Sequence, residues 1–189
     1  MRMASVRRAA AAATVIVTAA AAIVTSTSAA RAATPSGYDF AGITDWDGDG
    51  HQDIVARDAH GRLWLYPGES TRTYSTQGRY QIGNGWNGYA FAGLGDWDAD
   101  GHQDIVARDA HGRLWLYPGE STRAYSTQGR YQIGADWALY NFTGIADWDG
   151  DGHQDIVTFM HYFTPLWLFP GESVRGYSGQ QRAQIGTGW

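Results

Sequence analysis

The chain has 189 residues, a formal net charge of −5 at pH 7, arginine but no lysine, and no cysteine. An acidic chain of this kind is not expected to bind nucleic acid or anionic membranes, because both require a basic footprint. Disulfides are excluded, so divalent cations are the expected partners and the expected cross-links.

Residues 1–32 have the organisation of a secretory signal peptide. Three arginines fall in the first eight residues, an uncharged apolar run follows from Ala9 to Val24, and small residues precede Ala33. The apolar run is shorter than the roughly 20 residues that a membrane span requires. We therefore predict cleavage before Ala33 and a secreted, extracellular mature chain that does not span a membrane.

The mature chain consists of three copies of one unit. Asp45, Asp96 and Asp147 begin nearly identical segments 51 residues apart, and the third copy diverges only after Val157, where it is one residue longer. Repeats of this length are typical of propellers and solenoids. The predicted repeat boundaries are about 37–87, 88–138 and 139–189.

Each repeat contains four candidate strands separated by turn residues. In the first repeat they are YDFAGI (38–43), DIVAR (53–57), RLWLY (62–66) and RYQIG (79–83), with Asp-Gly, His-Gly and Pro-Gly between them. No segment after residue 34 shows helical periodicity. The predicted fold class is all-β.

The third candidate strand indicates how the sheets pack. In LWLY, Leu63 and Leu65 point to one face while Trp64 and Tyr66 point to the other, so both faces are apolar. A sheet with one solvated face would alternate apolar with polar residues. Stacked four-stranded sheets, as in the blades of a β-propeller, cover both faces.

The segment DWDGDGHQDIV (45–55) indicates a metal site. Aspartates occupy positions 1, 3, 5 and 9 of a nine-residue loop, glycine occupies position 6 and histidine position 7. This is the spacing of a calcium loop, in which alternate carboxylates and the carbonyl at position 7 face the ion. Position 12 lacks the glutamate of an EF-hand, and β-branched residues follow, so the loop is of another type. About three Ca²⁺ per chain are predicted, with these candidate ligands: Asp45, Asp47, Asp49, His51, Asp53, Asp96, Asp98, Asp100, His102, Asp104, Asp147, Asp149, Asp151, His153 and Asp155.

The alternative is an Asp-Gly turn without an ion. Carboxylates about 4 Å apart repel by about 1 kcal/mol per pair in water and by about 4 kcal/mol in partly buried sites. No lysine or arginine lies inside any of the three loops to relieve this repulsion. Three such loops in register therefore favour bound cations.

The aspartate segment, repeated three times between candidate strands, resembles the FG-GAP or VCBS calcium-binding repeats. The resemblance covers nearly the whole mature chain. It implies β-propeller blades like those of the integrin α-subunit head and of some secreted lectins, with the loop aspartates as calcium ligands. Two departures are that no Gly-Ala-Pro element appears and that such propellers usually have six or seven blades, whereas this chain has three.

Three blades do not readily close a ring, since propellers have about four to eight. Two chains could pair to give six blades, the chain could form an open stack, or the chain could be a truncated relative of longer proteins. The third repeat carries Phe159, Met160, Tyr162 and Phe163 where the other repeats are charged. This apolar segment is either a homodimer contact or a loop folded over its own blade.

Catalysis is not expected, because the candidate acids recur with the repeat and no catalytic motif is present. The predicted function is a secreted, calcium-binding repeat module that acts at or outside the cell surface, on a glycan or a cell-surface protein. The alternative is a calcium-dependent lectin. Its candidate stacking residues recur at the repeat junctions, although core packing is the competing explanation; they are Trp86, Trp137, Trp189, Tyr89 and Tyr140.

Overall fold

The computed structural model describes residues 37–73, 75–160 and 165–187, so the predicted signal peptide lies outside the described residues. Within these ranges the chain forms strands and turns, and none of it is a helix long and apolar enough to cross a bilayer. The strands are β1 (Asp39–Thr44), β2 (Asp53–Arg57), β3 (Leu63–Tyr66), β4 (Tyr80–Gly83), β5 (Ala90–Gly95), β6 (Asp104–Arg108), β7 (Leu114–Tyr117), β8 (Tyr131–Gly134), β9 (Tyr140–Ala146), β10 (Asp155–Met160), β11 (Leu166–Phe169) and β12 (Ala183–Gly186).

Each repeat forms its own four-stranded antiparallel sheet. The strand orders are β1-β2-β3-β4, β5-β6-β7-β8 and β9-β10-β11-β12, so consecutive strands are neighbours throughout. The all-β class and the four strands per repeat are confirmed, with strand ends within a residue of those predicted for the first repeat. The sheets are blade-like, and no closed propeller is shown.

The first strands of the three sheets lie side by side, with β5 between β1 and β9. A glycine in each of β1 and β5 makes this approach possible. A Cβ at Gly42 would lie 3.0 Å from the Leu94 side chain, and one at Gly93 would lie 2.9 Å from Ile145. The glycine after the register shift in β1 and β5 therefore receives an aliphatic side chain from the next repeat.

Two apolar clusters fill the spaces between consecutive sheets. Between the first and second sheets, Leu63 and Leu65 pack with Ile105 and Phe91. Between the second and third sheets, the cluster is built in the same way around Leu116 and its neighbours. Burial of these side chains, at roughly 25 cal/mol per Å² of apolar area, is the main source of attraction between the sheets.

In the described residues the middle sheet is covered on both faces, whereas the first sheet is not. Ile105 of β6 faces the first sheet and is 3% exposed, whereas its counterpart Ile54 in β2 faces outward and is 37% exposed. The predicted coverage of both faces is therefore correct for the second repeat, while the first sheet has one uncovered face. In that first sheet the Trp64 ring is covered by its own repeat, because the Arg79 guanidinium lies 4.0 Å from the ring centroid.

A buried aspartate closes the turn between the second and third strands of the first two repeats. Asp109 accepts hydrogen bonds from the Arg113 guanidinium (2.7 Å), from the Trp115 indole (2.9 Å) and from two backbone amides. Burial alone would raise the pKa of Asp109, but these hydrogen bonds hold it well below the usual range of an aspartate. Asp58 is bonded in the same way in the first repeat.

In the third repeat the apolar segment that begins at Phe159 replaces the aspartate, so this acceptor is absent. Met160 takes the place of the aspartate and packs against the second cluster. The indole nitrogen of Trp167, the counterpart of Trp115, is buried without a hydrogen-bond partner in the described part of the chain. Phe159 lies on the open face and is partly exposed, while Tyr162 and Phe163 lie outside the described residues.

This difference predicts that the same substitution changes stability differently in the second and third repeats. Trp115→Phe removes a hydrogen bond to a charged acceptor and should destabilise the protein by about 1.5–3 kcal/mol. Trp167→Phe removes an unpaired donor and should be nearly neutral or stabilising. Thermal unfolding of the two variants measures the contrast, and equal losses would contradict it.

Candidate metal centres

Each aspartate loop connects the first strand of a sheet to the second and curls around its own carboxylates. In the first loop the Asp45 carboxylate accepts from the Gly50 amide (3.0 Å) and Asp47 accepts from the Asp49 amide (3.1 Å). Gly50 has φ 88°, a left-handed conformation that favours glycine. The glycine at position 6 thus makes the sharp bend that the sequence predicted.

Three carboxylates converge in every loop. In the first loop, ligand atoms of Asp45, Asp47 and Asp53 all lie within 4.8 Å of one another, and the equivalent residues converge in the second and third loops. The three clusters could hold metal ions. The aspartate at position 5 is outside these groups of three: Asp49 accepts instead from the His51 amide (2.9 Å).

The aspartate at position 9 is fully buried and connects three parts of the repeat. In the first repeat, one oxygen of Asp53 accepts from the Trp46 amide (3.0 Å), and the other accepts from the Gly68 amide (2.8 Å). Asp53 is also the first residue of β2. One carboxylate therefore holds together the aspartate loop, the second strand and the Pro-Gly turn after the third strand.

The Pro-Gly turn can reach this carboxylate only because its second residue is glycine. A Cβ at Gly68 would lie 2.0 Å from the carbonyl oxygen of Gln52, and the same distance separates Gly119 from Gln103 and Gly171 from Gln154. No side chain fits at that separation. The recurrent PGES sequence therefore places a backbone amide against the buried aspartate in all three repeats.

Burial and like charges act on the position-9 carboxyls of the first two repeats. Burial raises the pKa of Asp53, and it raises the pKa of Asp104 to about 7, with further increases from the nearby charges of Asp98 and Asp100. Hydrogen bonds from backbone amides oppose these effects. A cation that binds beside Asp104 would favour the ionised carboxylate and so oppose this rise in its pKa.

The histidine at position 7 points its ring away from the carboxylates. His51 Nδ1 lies 2.7 Å from Ser70 Oγ, and the same pair forms between His102 and Ser121 (2.8 Å) and between His153 and Ser173 (2.7 Å). The three serines have positive φ values of 46–50°. The repeat pattern could have identified these three serines, because each is the last residue of a PGES turn.

Two of the loops are covered by the following repeat. The Arg123 guanidinium, from the second repeat, binds Asp47 (2.5 Å) and Asp49 (2.9 Å) of the first loop. The Trp46 indole donates to the Thr122 carbonyl (3.1 Å). Arg175 of the third repeat binds Asp98 (2.5 Å) and Asp100 (2.8 Å) in the same way, and Trp97 donates to the Val174 carbonyl (3.2 Å).

The charges inside each loop do not predict this arginine, because Arg123 lies 76 residues after Asp47. The signal was present in the repeat, since Arg72, Arg123 and Arg175 occupy one position of the unit. The repulsion among carboxylates is therefore partly relieved in the first two loops, and in the described residues no arginine bonds to the third.

The first two loops also contain buried oxygens without a partner. Asp45 Oδ1 and Asp98 Oδ1 are both inaccessible to solvent, and neither accepts a hydrogen bond in the described residues. A buried acceptor left unpaired costs free energy. Converging carboxylate oxygens are the natural ligands of a hard cation. The residues present therefore fit a Ca²⁺ ion.

The aromatic residues proposed for sugar stacking are used in packing. Trp86 stacks on Phe91 at 5.6 Å between ring centroids and contacts Tyr117 at 4.4 Å, and Trp137 is buried in the second cluster in the same manner. Tyr89 and Tyr140 contact these tryptophans. Trp189 lies outside the described residues. Trp86 and Trp137 therefore do not present free faces to a ligand.

Comparison with known proteins supports the class defined by this fold and these loops. The family model of the FG-GAP-like repeat matches residues 45–107 and 96–158, which together span more than half of the chain. The chain belongs to the FG-GAP-like repeat family. Repeats of this family are generally non-enzymatic structural or binding modules and commonly bind Ca²⁺. Neither a curated protein nor a solved structure matches the chain.

The close approach of the Pro-Gly turn gives a prediction for the second loop. Gly119→Ala places a Cβ against the Gln103 carbonyl and should push the turn away from Asp104, with a loss of about 1–3 kcal/mol or more. Gly129→Ala is the matched control, because a Cβ there meets no atom within 4 Å. Thermal unfolding tests both variants, and equal melting temperatures would show that the turn does not depend on this glycine.

Proposed function

We propose that the protein is a secreted calcium-binding repeat module, in which one Ca²⁺ ion per aspartate loop stabilises the three sheets for binding at or outside the cell surface. The observation that carries this proposal is the convergence of three carboxylates in each loop. The signal-peptide pattern of residues 1–32 supports export. Extracellular fluid also supplies the ion at concentrations that weak calcium sites require.

The candidate ligands divide into two roles. The aspartates at positions 1 and 3 offer oxygens to the ion, and the unpaired buried Oδ1 atoms of Asp45 and Asp98 support this role. The aspartate at position 9 fixes the shape of the loop through backbone hydrogen bonds and adds its charge to the cluster. Position 5 is assigned a carboxylate and position 7 a backbone carbonyl by the calcium-loop spacing.

An ion in each loop would act as a cross-link. It would join the end of the first strand to the start of the second, where the described chain has no disulfide. Binding to the folded state alone stabilises it by RT ln(1 + [L]/Kd), which is about 2.7 kcal/mol per site at 100 times the Kd. Three occupied sites would therefore contribute a large share of the stability of a small domain.

The test compares calcium with chelator in wild type and in the triple variant Asp47→Asn, Asp98→Asn and Asp149→Asn. The wild-type melting temperature should rise by several degrees or more from EGTA to calcium. The triple variant should lose most of this difference. The change in melting temperature between EGTA and calcium is compared, rather than the melting temperature itself. This comparison separates the effect of the ion from the effect of losing the salt bridges made by Arg123 and Arg175.

Asp136→Asn is the control, since it removes one aspartate outside the loops and should preserve the full calcium effect. Native mass spectrometry of the chain without residues 1–32, which retains every described residue, should count three ions. A wild-type melting temperature that is the same in EGTA and in calcium would contradict the proposal.

Calcium-dependent glycan binding is the second candidate function. Clefts of about 190 and 280 Å³ lie between consecutive sheets, and the exposed rings of Tyr125 and Tyr177 line them. The larger cleft is near the lower end of the roughly 300–1,000 Å³ typical of ligand pockets. Retention on polysaccharide resins with calcium, lost in EGTA and in Tyr177→Ala, would support this function. No retention on any resin would exclude it.

A further inference from the structure

The two internal junctions of the chain are built from the same pairs of groups. At each, the repeat that comes first supplies the aspartate loop, its tryptophan and the glycine of its first strand. The repeat that follows supplies the arginine, a backbone carbonyl and an aliphatic side chain that packs on that glycine. Every junction therefore joins two different surfaces, which we call the loop surface and the arginine surface.

The loop surface of the third repeat is uncovered in the described chain. Trp148 is 56% exposed, whereas its counterparts Trp46 and Trp97 are 6% and 5% exposed. Asp149 and Asp151 accept only local backbone hydrogen bonds. A Cβ at Gly144 would meet no atom within 4 Å, although the counterpart glycines are closely packed.

The arginine surface of the first repeat is uncovered as well. Arg72 is exposed and makes no ion pair with any described residue, in contrast to Arg123 and Arg175. Ile43, the counterpart of the side chains that pack on the junction glycines, is 68% exposed. Next to it, the outer face of the first sheet forms an apolar groove of about 730 Å³ that includes Ile54.

We propose that a second copy of this chain covers these two surfaces. The arginine surface of one copy docks on the loop surface of the other, so that Arg72 binds Asp149 and Asp151 and Ile43 packs on Gly144. The third metal loop is then completed by a residue of the partner copy. The charges are complementary, since an exposed guanidinium meets carboxylates that no arginine of the described chain neutralises.

The number of blades determines the size of the assembly. An interface between two different surfaces forms a ring if the rotation closes and a filament if it does not. Closed propellers contain about four to eight blades, and the described residues of each chain supply three sheets. Two copies supply six sheets and two identical junctions, and no other whole number of copies gives a blade count within this range.

The experiment is native mass spectrometry and light scattering of the chain without residues 1–32, in calcium. Wild type should be a dimer, while Arg72→Glu and Gly144→Ile should each weaken dimerisation at least tenfold. Gly144→Ile is informative because the site is open within its own chain, so its melting temperature as a monomer should be unaffected. Gly129→Ile, at another open glycine, is the control and should remain a dimer.

Mixing the variants tests the head-to-tail arrangement. Arg72→Glu has a defective arginine surface and Gly144→Ile a defective loop surface, so each should be monomeric alone. A mixture should form a one-to-one pair through the single junction in which both surfaces are intact. Wild-type monomers, filaments that grow with concentration, or variants that remain fully dimeric would each overturn the proposal.

The dimer proposal rests on the proposed calcium function and extends it to the third loop. The experiment distinguishes failure of the dimer from failure of the calcium sites. Monomers that carry three ions would reject the dimer and retain the calcium sites. Dimers that carry no ion would reject the calcium sites and retain the junction. Because mass spectrometry counts chains and ions in one spectrum, the two results are read independently.

Discussion

The structure depends on one buried carboxylate per repeat. Asp53, Asp104 and Asp155 are fully buried, and each accepts backbone amides from both its own loop and the Pro-Gly turn. A buried carboxylate is tolerated only when it is hydrogen-bonded or paired with a cation. The same residue therefore requires the turn glycine, fixes the loop and leaves negative charge that a metal ion would compensate.

The repeats depend on one another as well as on their own turns. Arg123 and Arg175 each pair with two carboxylates of the loop in the preceding repeat, while Trp46 and Trp97 are buried because the following repeat covers them. This is the nearest-neighbour energetics of repeat proteins, in which terminal units differ from internal ones. Identical sequences in the first and second repeats consequently have different environments, as the exposed Ile54 and the buried Ile105 show.

Much of the fold could be predicted from local pattern. The segment DIVAR matched β2 residue for residue, because alternation acts over a few residues. Of the four aspartates that the loop spacing assigns to each site, those at positions 1, 3 and 9 converge and the one at position 5 does not. The arginine that covers each loop could not be found by inspecting the loop, since it is more than 70 residues away. The unpaired indole of Trp167 was equally hidden, because it follows from a neighbouring strand that lost its aspartate.

If the loops bind Ca²⁺ as proposed, charge would link ion binding to docking of the next repeat. Each loop holds four carboxylates, so a divalent cation leaves about two negative charges and a guanidinium leaves about one fewer. In the first loop both would act on Asp47, which binds Arg123 and belongs to the converging group. Since either cation lowers the repulsion that the remaining carboxylates feel at close range, each stabilises the arrangement that the other requires.

Coupling of this kind is reciprocal. A loop without its neighbour should bind calcium differently from a covered one, and a chain without calcium should dock its repeats differently from a loaded one. In the proposed dimer this coupling extends to the third loop, because Arg72 of a second copy takes the place that Arg123 and Arg175 occupy at the first two loops.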